Sequence, residues 1–231
     1  MTTTDGWTAA VRDRLAPGRL LPLGAAADGV WITERAARTV LDRAASAVRG
    51  VAPGRLRVGS DPDAGPDPET EDLDSLPVPP GGLPPGPLRI TADFAAVAGR
   101  PLPEVAEELR SVLLVAAEDG LGLPVAGVDL RVTALLDTAP AAAGPAAPPP
   151  GRPSPATDDP VALAALRVEG VAGVTDALGP PVRRGPGGDV RIELAVTAGR
   201  HPLHVARAVR NAVTAVAGGA TAVTVLVSEL R

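Results

Sequence analysis

The chain has 231 residues, 22 basic and 27 acidic, for a net charge of −5, with 27 Pro, 26 Gly and three aromatic residues, Trp7, Trp31 and Phe94. It contains no Cys, which excludes a disulfide framework, a thiol nucleophile, an Fe–S cluster and Cys-ligated zinc. No apolar run approaches the roughly 18 residues that a bilayer span needs, and the start Met1-Thr-Thr-Thr-Asp lacks the basic head of a signal peptide, so a cytoplasmic protein is expected. All the basic residues are Arg, a usage that reads as GC-rich coding rather than as selection for phosphate binding. Asp61, Asp63, Asp67, Glu69, Glu71, Asp72 and Asp74 form an acidic run without a base; with these seven set aside, −5 becomes +2. A near-neutral body gives no electrostatic argument for nucleic acid.

The first 27 residues read as an arm. Trp7, Val11 and Leu15 fall at i, i+4, i+8, and packing on the chain's own first module accounts for that stripe. A first module is expected over residues 28–137. Thr33 is placed to cap a helix to about Val48, with Ala36, Ala37, Val40, Leu41, Ala44 and Ala47 on one face, and Gly50 can stop it. Leu56 and Val58 suggest a short strand. A long acidic, then Pro/Gly-rich loop follows over 61–87, with almost nothing to bury. Leu88, Ile90, Ala92, Phe94 and Ala96 alternate with polar residues as a half-buried strand. Gly99 turns the chain into a helix from Pro101 to Glu118, and Val128, Leu130 and Val132 close the module as a strand.

Residues 138–157 read as a Pro/Ala linker of extended polyproline character. The second module, 158–231, repeats the order: a helix from Pro160, a strand near Val174–Leu178, a Gly/Pro turn at Gly179–Gly188, a strand through Val190–Val196, a helix from Pro202 to Val216 and a last strand with Val223, Val225 and Val227. Positions 98–117 match positions 198–217 seven times at an offset of 100, including Gly99-Arg100 with Gly199-Arg200 and Arg110 with Arg210. The expected fold is therefore α+β: two tandem α-β-β-α-β two-layer sandwich modules arising from an internal duplication. The second module has a thin core and is expected to pack on the first or on another chain.

Catalytic patterns are sparse. His201 and His204 stand at i, i+3 at a helix start, too few for a zinc site, which takes three or four protein ligands. No Ser stands in a Gly-x-Ser-x-Gly elbow, and the acidic run lies in a loop without a frame to tune a pair of carboxylates. Gly170-Val-Ala-Gly173 and Gly185-Pro-Gly-Gly188 match Gly-x-x-Gly, which keeps a KH-like RNA-binding module as the alternative. A hydrolase or metal protein using His201 and His204 is more remote. Neither a cofactor nor a metal is expected.

Several stretches together resemble a known family. They are Gly29-Val30-Trp31-Ile32-Thr33, Val48-Arg49-Gly50-Val51, Gly99-Arg100-Pro101-Leu102-Pro103-Glu104-Val105-Ala106, and Val128-Asp129-Leu130-Arg131-Val132, with Val168-Glu169-Gly170-Val171 and 199–206 in the second copy. The pattern is similar to the alkaline-shock, or Gls-type, envelope stress response proteins of Gram-positive bacteria. The acidic Pro-rich loop and the tandem arrangement depart from the single-domain form of that family. The resemblance implies a non-catalytic cytoplasmic protein held near the membrane by a membrane-embedded partner and serving cell-envelope homeostasis. Self-association is a further option, with no nucleic acid and no direct membrane insertion. The candidate interaction surface comprises Gly99, Arg100, Glu104, Gly199, Arg200 and His204 at the two turn-and-helix starts, with Trp7 and Trp31.

Overall fold

The structure is a computed structural model that describes residues 18–64, 77–138 and 154–231. Trp7, Val11 and Leu15, most of the acidic run and most of the Pro/Ala linker lie outside the described residues. The class is α+β, with two sheets and helices against them.

Residues 20–27, expected in the arm, instead open the fold. β1 (Leu20–Leu23) and β2 (Val30–Thr33) form an antiparallel hairpin around a short 3-10 turn at Ala26–Asp28. The Asp28 carboxylate accepts from the Ala25 N–H at 2.8 Å and Gly29 leaves the turn at φ +63°, a conformation that glycine adopts without strain. Thr33 then caps α1 (Glu34–Ser46): its Oγ1 accepts from the Ala36 N–H and donates to the Ser228 carbonyl at 2.8 Å. α1 buries Ala36, Ala37, Leu41 and Ala45 on one stripe. β3 (Val51–Ser60), β4 (Leu88–Val97), α2 (Leu102–Leu121) and β5 (Val125–Leu136) complete the first half. α2 buries Val105, Leu109, Leu113, Ala117 and Leu121, every fourth residue, against the sheet.

The second half runs α3 (Pro160–Leu166), β6 (Val171–Val174), β7 (Val182–Arg184), β8 (Asp189–Val196), α4 (Pro202–Val216) and β9 (Ala222–Leu230). The strand expected at Val174–Leu178 lies earlier, at β6. The expected Gly/Pro turn holds β7.

One sheet has the order β3-β4-β5, antiparallel then parallel. The other has the order β1-β2-β9-β8-β6, with β7 also on β8; β6 and β8 are antiparallel, β8 and β9 parallel. The succession α-β-β-α-β with these pairing senses therefore occurs twice, the second time with β7 inserted between β6 and β8. The details recur too. The parallel ladder slips by one residue between Phe94 and Ala95 and again between Leu194 and Ala195. In each case the skipped residue is a hydroxyl residue that bonds the same carbonyl: Thr133 to Phe94 at 3.1 Å, Ser228 to Leu194 at 3.3 Å. The Val97 N–H donates to Gly50 and the Thr197 N–H to Gly170, at 2.9 and 2.8 Å.

The halves are not separate bodies. β2 pairs in parallel with β9, so the first strand of the expected first module belongs to the sheet of the second. One apolar cluster runs from Leu21, Ile32 and Leu41 through Leu109 and Leu113 to Val205, Val209 and Val225. The thin core expected for the second half is thereby enlarged, at roughly 1.5–3 kcal/mol for each large aliphatic side chain removed from water. A second, smaller cluster of Leu20, Trp31 and Leu226, with Leu178 against it, covers the opposite face of the six-stranded sheet.

Candidate functional site

The two turn-and-helix starts are built alike. Gly99 (φ +111°) and Gly199 (φ +82°) turn β4 and β8 toward their helices, and nothing lies within 4 Å of where a Cβ would stand on either. The Val105 N–H closes the first helical turn on Pro101 and the Val205 N–H does so on His201, at 3.2 and 3.1 Å. Each following arginine reaches back to the turn before the antiparallel strand. Arg100 donates to the Arg49 carbonyl at 3.2 Å and pairs with Glu108 at 2.8 Å; Arg200 pairs with Glu169 at 2.6 Å. Glu104 is exposed in the first turn of α2, where its charge suits the positive end of the helix.

Gly99, Arg100 and Glu104 are thus gathered at one end, and Gly199, Arg200 and His204 at another. They do not form one surface. The start of α4 touches the end of α2: a Cβ on Gly122 would lie 2.8 Å from Leu203 Cβ and 3.1 Å from His201 Cε1. The two starts are therefore about 30 Å apart, the length of a 20-residue helix.

His204 is exposed and stacks on His201, ring centroids 4.1 Å apart. Burial, with His204 and Arg207 nearby, holds the His201 imidazole below the ordinary histidine range, while the Glu118 backbone and Asp119 pull the other way. Among the described residues no group of three or more His, Asp or Glu could hold a metal ion. Next to this pair Arg207 makes a two-pronged bond to Asp28, both distances 2.8 Å, joining α4 to the β1–β2 turn. Burial pulls the Asp28 carboxyl upward, but the Arg207 bonds, the Ala25 N–H and the nearby Arg210 outweigh it and leave the group below the ordinary carboxylate range.

Trp31 is not a surface residue. It is 1% exposed, and its indole N–H donates to the Leu83 carbonyl at 3.1 Å. The reason lies in the Pro-rich stretch, which was expected to bury almost nothing. There the Leu83 N–H donates to Leu20 and the Leu20 N–H to Gly81, so the segment runs alongside the edge of β1 and brings the Leu83 carbonyl to the indole. Trp7 lies outside the described residues. Arg89 gathers Asp61, Asp63 and Asp129, at 2.9, 2.9 and 3.3 Å, so the start of the acidic run is held on the sheet.

Glu193 alternates with Val190, Ile192 and Leu194 on the phase that reads as outward, so sequence periodicity does not mark it as a buried group. Residues 175–178 fold over it. Its carboxylate accepts from Thr175 Oγ1 and the N–H groups of Ala177 and Leu178, at 2.8, 2.9 and 2.9 Å. Burial pushes its pKa up against those bonds. At the corresponding place in the first half, Asp93 makes a two-pronged pair with Arg131, at 2.8 and 2.9 Å, which holds Asp93 below the ordinary range. Leu226 stands where an arginine would have to be in the second half, beside Glu193.

The outer edge of β5 is a further feature that sequence periodicity does not reveal. β9 carries β2 along its outer edge; β5, in the same place in its sheet, carries no strand among the described residues. Val227 of β9 is 0% exposed, whereas Val132 of β5 is 39% and Leu135 65% exposed. The Gly-x-x-Gly segments lie at the start of β6 and in the turn between β7 and β8, not between two helices. No helix among the described residues is long and apolar enough to cross a membrane. No family model matches the chain, and neither a curated protein nor a solved structure is significantly similar to it.

Proposed function

We propose that the chain is a non-catalytic interaction protein, a tandem form related to the alkaline-shock envelope stress proteins, which acts at the cytoplasmic face of the membrane through a membrane-embedded partner. The observation that carries this reading is the outer edge of β5, along which no strand lies among the described residues. Its counterpart β9 binds a strand along the same edge, and where β9 is covered β5 exposes Val132 and Leu135. An unpaired strand edge offers a row of backbone donors and acceptors, with exposed side chains alongside, to an extended peptide. A cytoplasmic segment of the membrane partner is the proposed occupant. The two arginine-bearing helix starts, near Arg100 and Arg200, are further contact points. The two halves are read as copies of one ancestral unit, a reading supported by the repeated order, pairing senses and slips in the two ladders.

The test is purification of the tagged full chain from gently solubilised membranes, followed by mass spectrometry. The expected result is an integral membrane protein in stoichiometric amount, lost from a Val132→Glu/Leu135→Glu variant that keeps its far-ultraviolet spectrum. Equal recovery with that variant would remove β5 as the contact. Recovery of a soluble monomer alone would overturn the proposal.

A further inference from the structure

The groove between α1 and β3 gathers arginines from three separate stretches of chain. Arg19 comes from the residues leading into β1, Arg35 and Arg38 from the exposed face of α1, and Arg55 and Arg57 from β3, an edge strand. The groove has a volume of about 680 Å³, within the roughly 300–1,000 Å³ usual for small-ligand sites. Only two carboxylates line it, Glu34 and Asp42.

Those two are loosely engaged. Arg19 Nε lies 3.6 Å from Glu34 while its Nη2 donates to the Val58 carbonyl at 2.7 Å. Arg38 lies 3.7 Å from Asp42 in an exposed i, i+4 pair, a geometry that contributes little. Arg38 lines the groove, and its Nε is buried and has no acceptor, an unmet donor. Arg35 and Arg57 make no ion pair among the described residues. Arg55 feels Asp93, but Asp93 is already held by Arg131.

Five guanidinium groups around one concavity repel one another, and a cleft focuses their field. An anion relieves that repulsion. The planar fork of arginine matches the oxygens of a phosphoryl group, to which two N–H groups can donate at once. No aromatic residue lines the groove, and Trp31 and Phe94, the aromatic residues described, are both buried. Base stacking, the main means of holding single-stranded nucleic acid, is absent there. We propose that this groove is a binding site for a small phosphoryl-bearing anion, recognised through Arg38 with Arg35 and Arg57. Free phosphorylated metabolites and anionic lipid headgroups share that chemistry.

The test uses the full chain and inorganic pyrophosphate in isothermal titration. Saturable binding is expected, weakened about tenfold or more in Arg38→Ala and in Arg57→Ala, as for loss of a charge-assisted hydrogen bond. Arg167→Ala, an exposed arginine beyond α3 and outside the groove, is expected to bind as the wild type does. Co-sedimentation with vesicles of phosphatidylglycerol in phosphatidylcholine, against phosphatidylcholine alone, separates the sources: binding relieved by pyrophosphate assigns a lipid headgroup, and no vesicle binding assigns a soluble ligand. Absence of saturable pyrophosphate binding would overturn the proposal. So would equal loss in Arg167→Ala, or retention of a single-stranded oligonucleotide that pyrophosphate does not compete.

Discussion

Replacing Gly122 with Ala tests the seam between the halves. Gly122 ends α2 at φ +84°, where a Cβ costs roughly 1–2 kcal/mol. In addition, that Cβ would lie 2.8 Å from both Cβ and Cδ2 of Leu203 and 3.1 Å from His201 Cε1. A Leu Cβ is fixed to its backbone, so relief requires α4 to shift, and overpacking of this kind costs about 1–3 kcal/mol. Gly199→Ala is the matched control, with nearly the same φ, +82°, and nothing within 4 Å. It should show the backbone strain alone. Gly122→Ala is therefore expected to destabilise by roughly 2–5 kcal/mol in total, lowering Tm by about 4–20 °C for a chain of this size. Urea unfolding of both variants measures the difference. Adding Leu203→Ala to Gly122→Ala removes the Cδ2 contact but leaves the Cβ one, so the double variant should recover part of the loss and be less destabilised than the sum of the singles, by about 0.5 kcal/mol or more. If Gly122→Ala unfolds no earlier than Gly199→Ala, or if the effects of Gly122→Ala and Leu203→Ala simply add, the reasoning fails.

Three further outcomes are expected. Asp28 has a lowered folded pKa, so its contribution is present above the ordinary aspartate range and is lost as pH falls through its folded value; Asp28→Asn should flatten the acid limb of stability against pH, and an unchanged limb would remove the Arg207 pair as its source. Glu193 has the opposite sign: its raised pKa means that stability falls as pH rises from the ordinary glutamate range through the folded value, and Glu193→Gln should remove that decline. Trp31→Phe deletes the bond to Leu83, at about 1–2 kcal/mol, and should speed hydrogen exchange at Leu20 and Leu83 more than at Leu109; uniform acceleration would contradict the local account.

The periodic elements were legible because their cause is local. Leu88, Ile90, Ala92, Phe94 and Ala96 alternate because one face of β4 is packed, and Val105, Leu109, Leu113 and Ala117 recur because one stripe of α2 is. Thr33 as a cap, Gly99 and Gly199 as turns and the twice-repeated element order follow from residue types at fixed spacing, and so does the α+β class. What the sequence could not decide was which surfaces meet. Val30-Trp31-Ile32-Thr33 is buried on both faces, so it has no alternation to place it, and its partner β9 lies nearly 200 residues away. Trp31 and Leu83 are joined by a hydrogen bond across 52 residues, and Glu193 is covered by a loop whose path no pattern records. The five arginines of the groove are scattered singly or in pairs through 39 positions, and as a list they look like composition. They become a site only when packing sets α1 beside β3, because the field of a charge depends on distance in space and not along the chain.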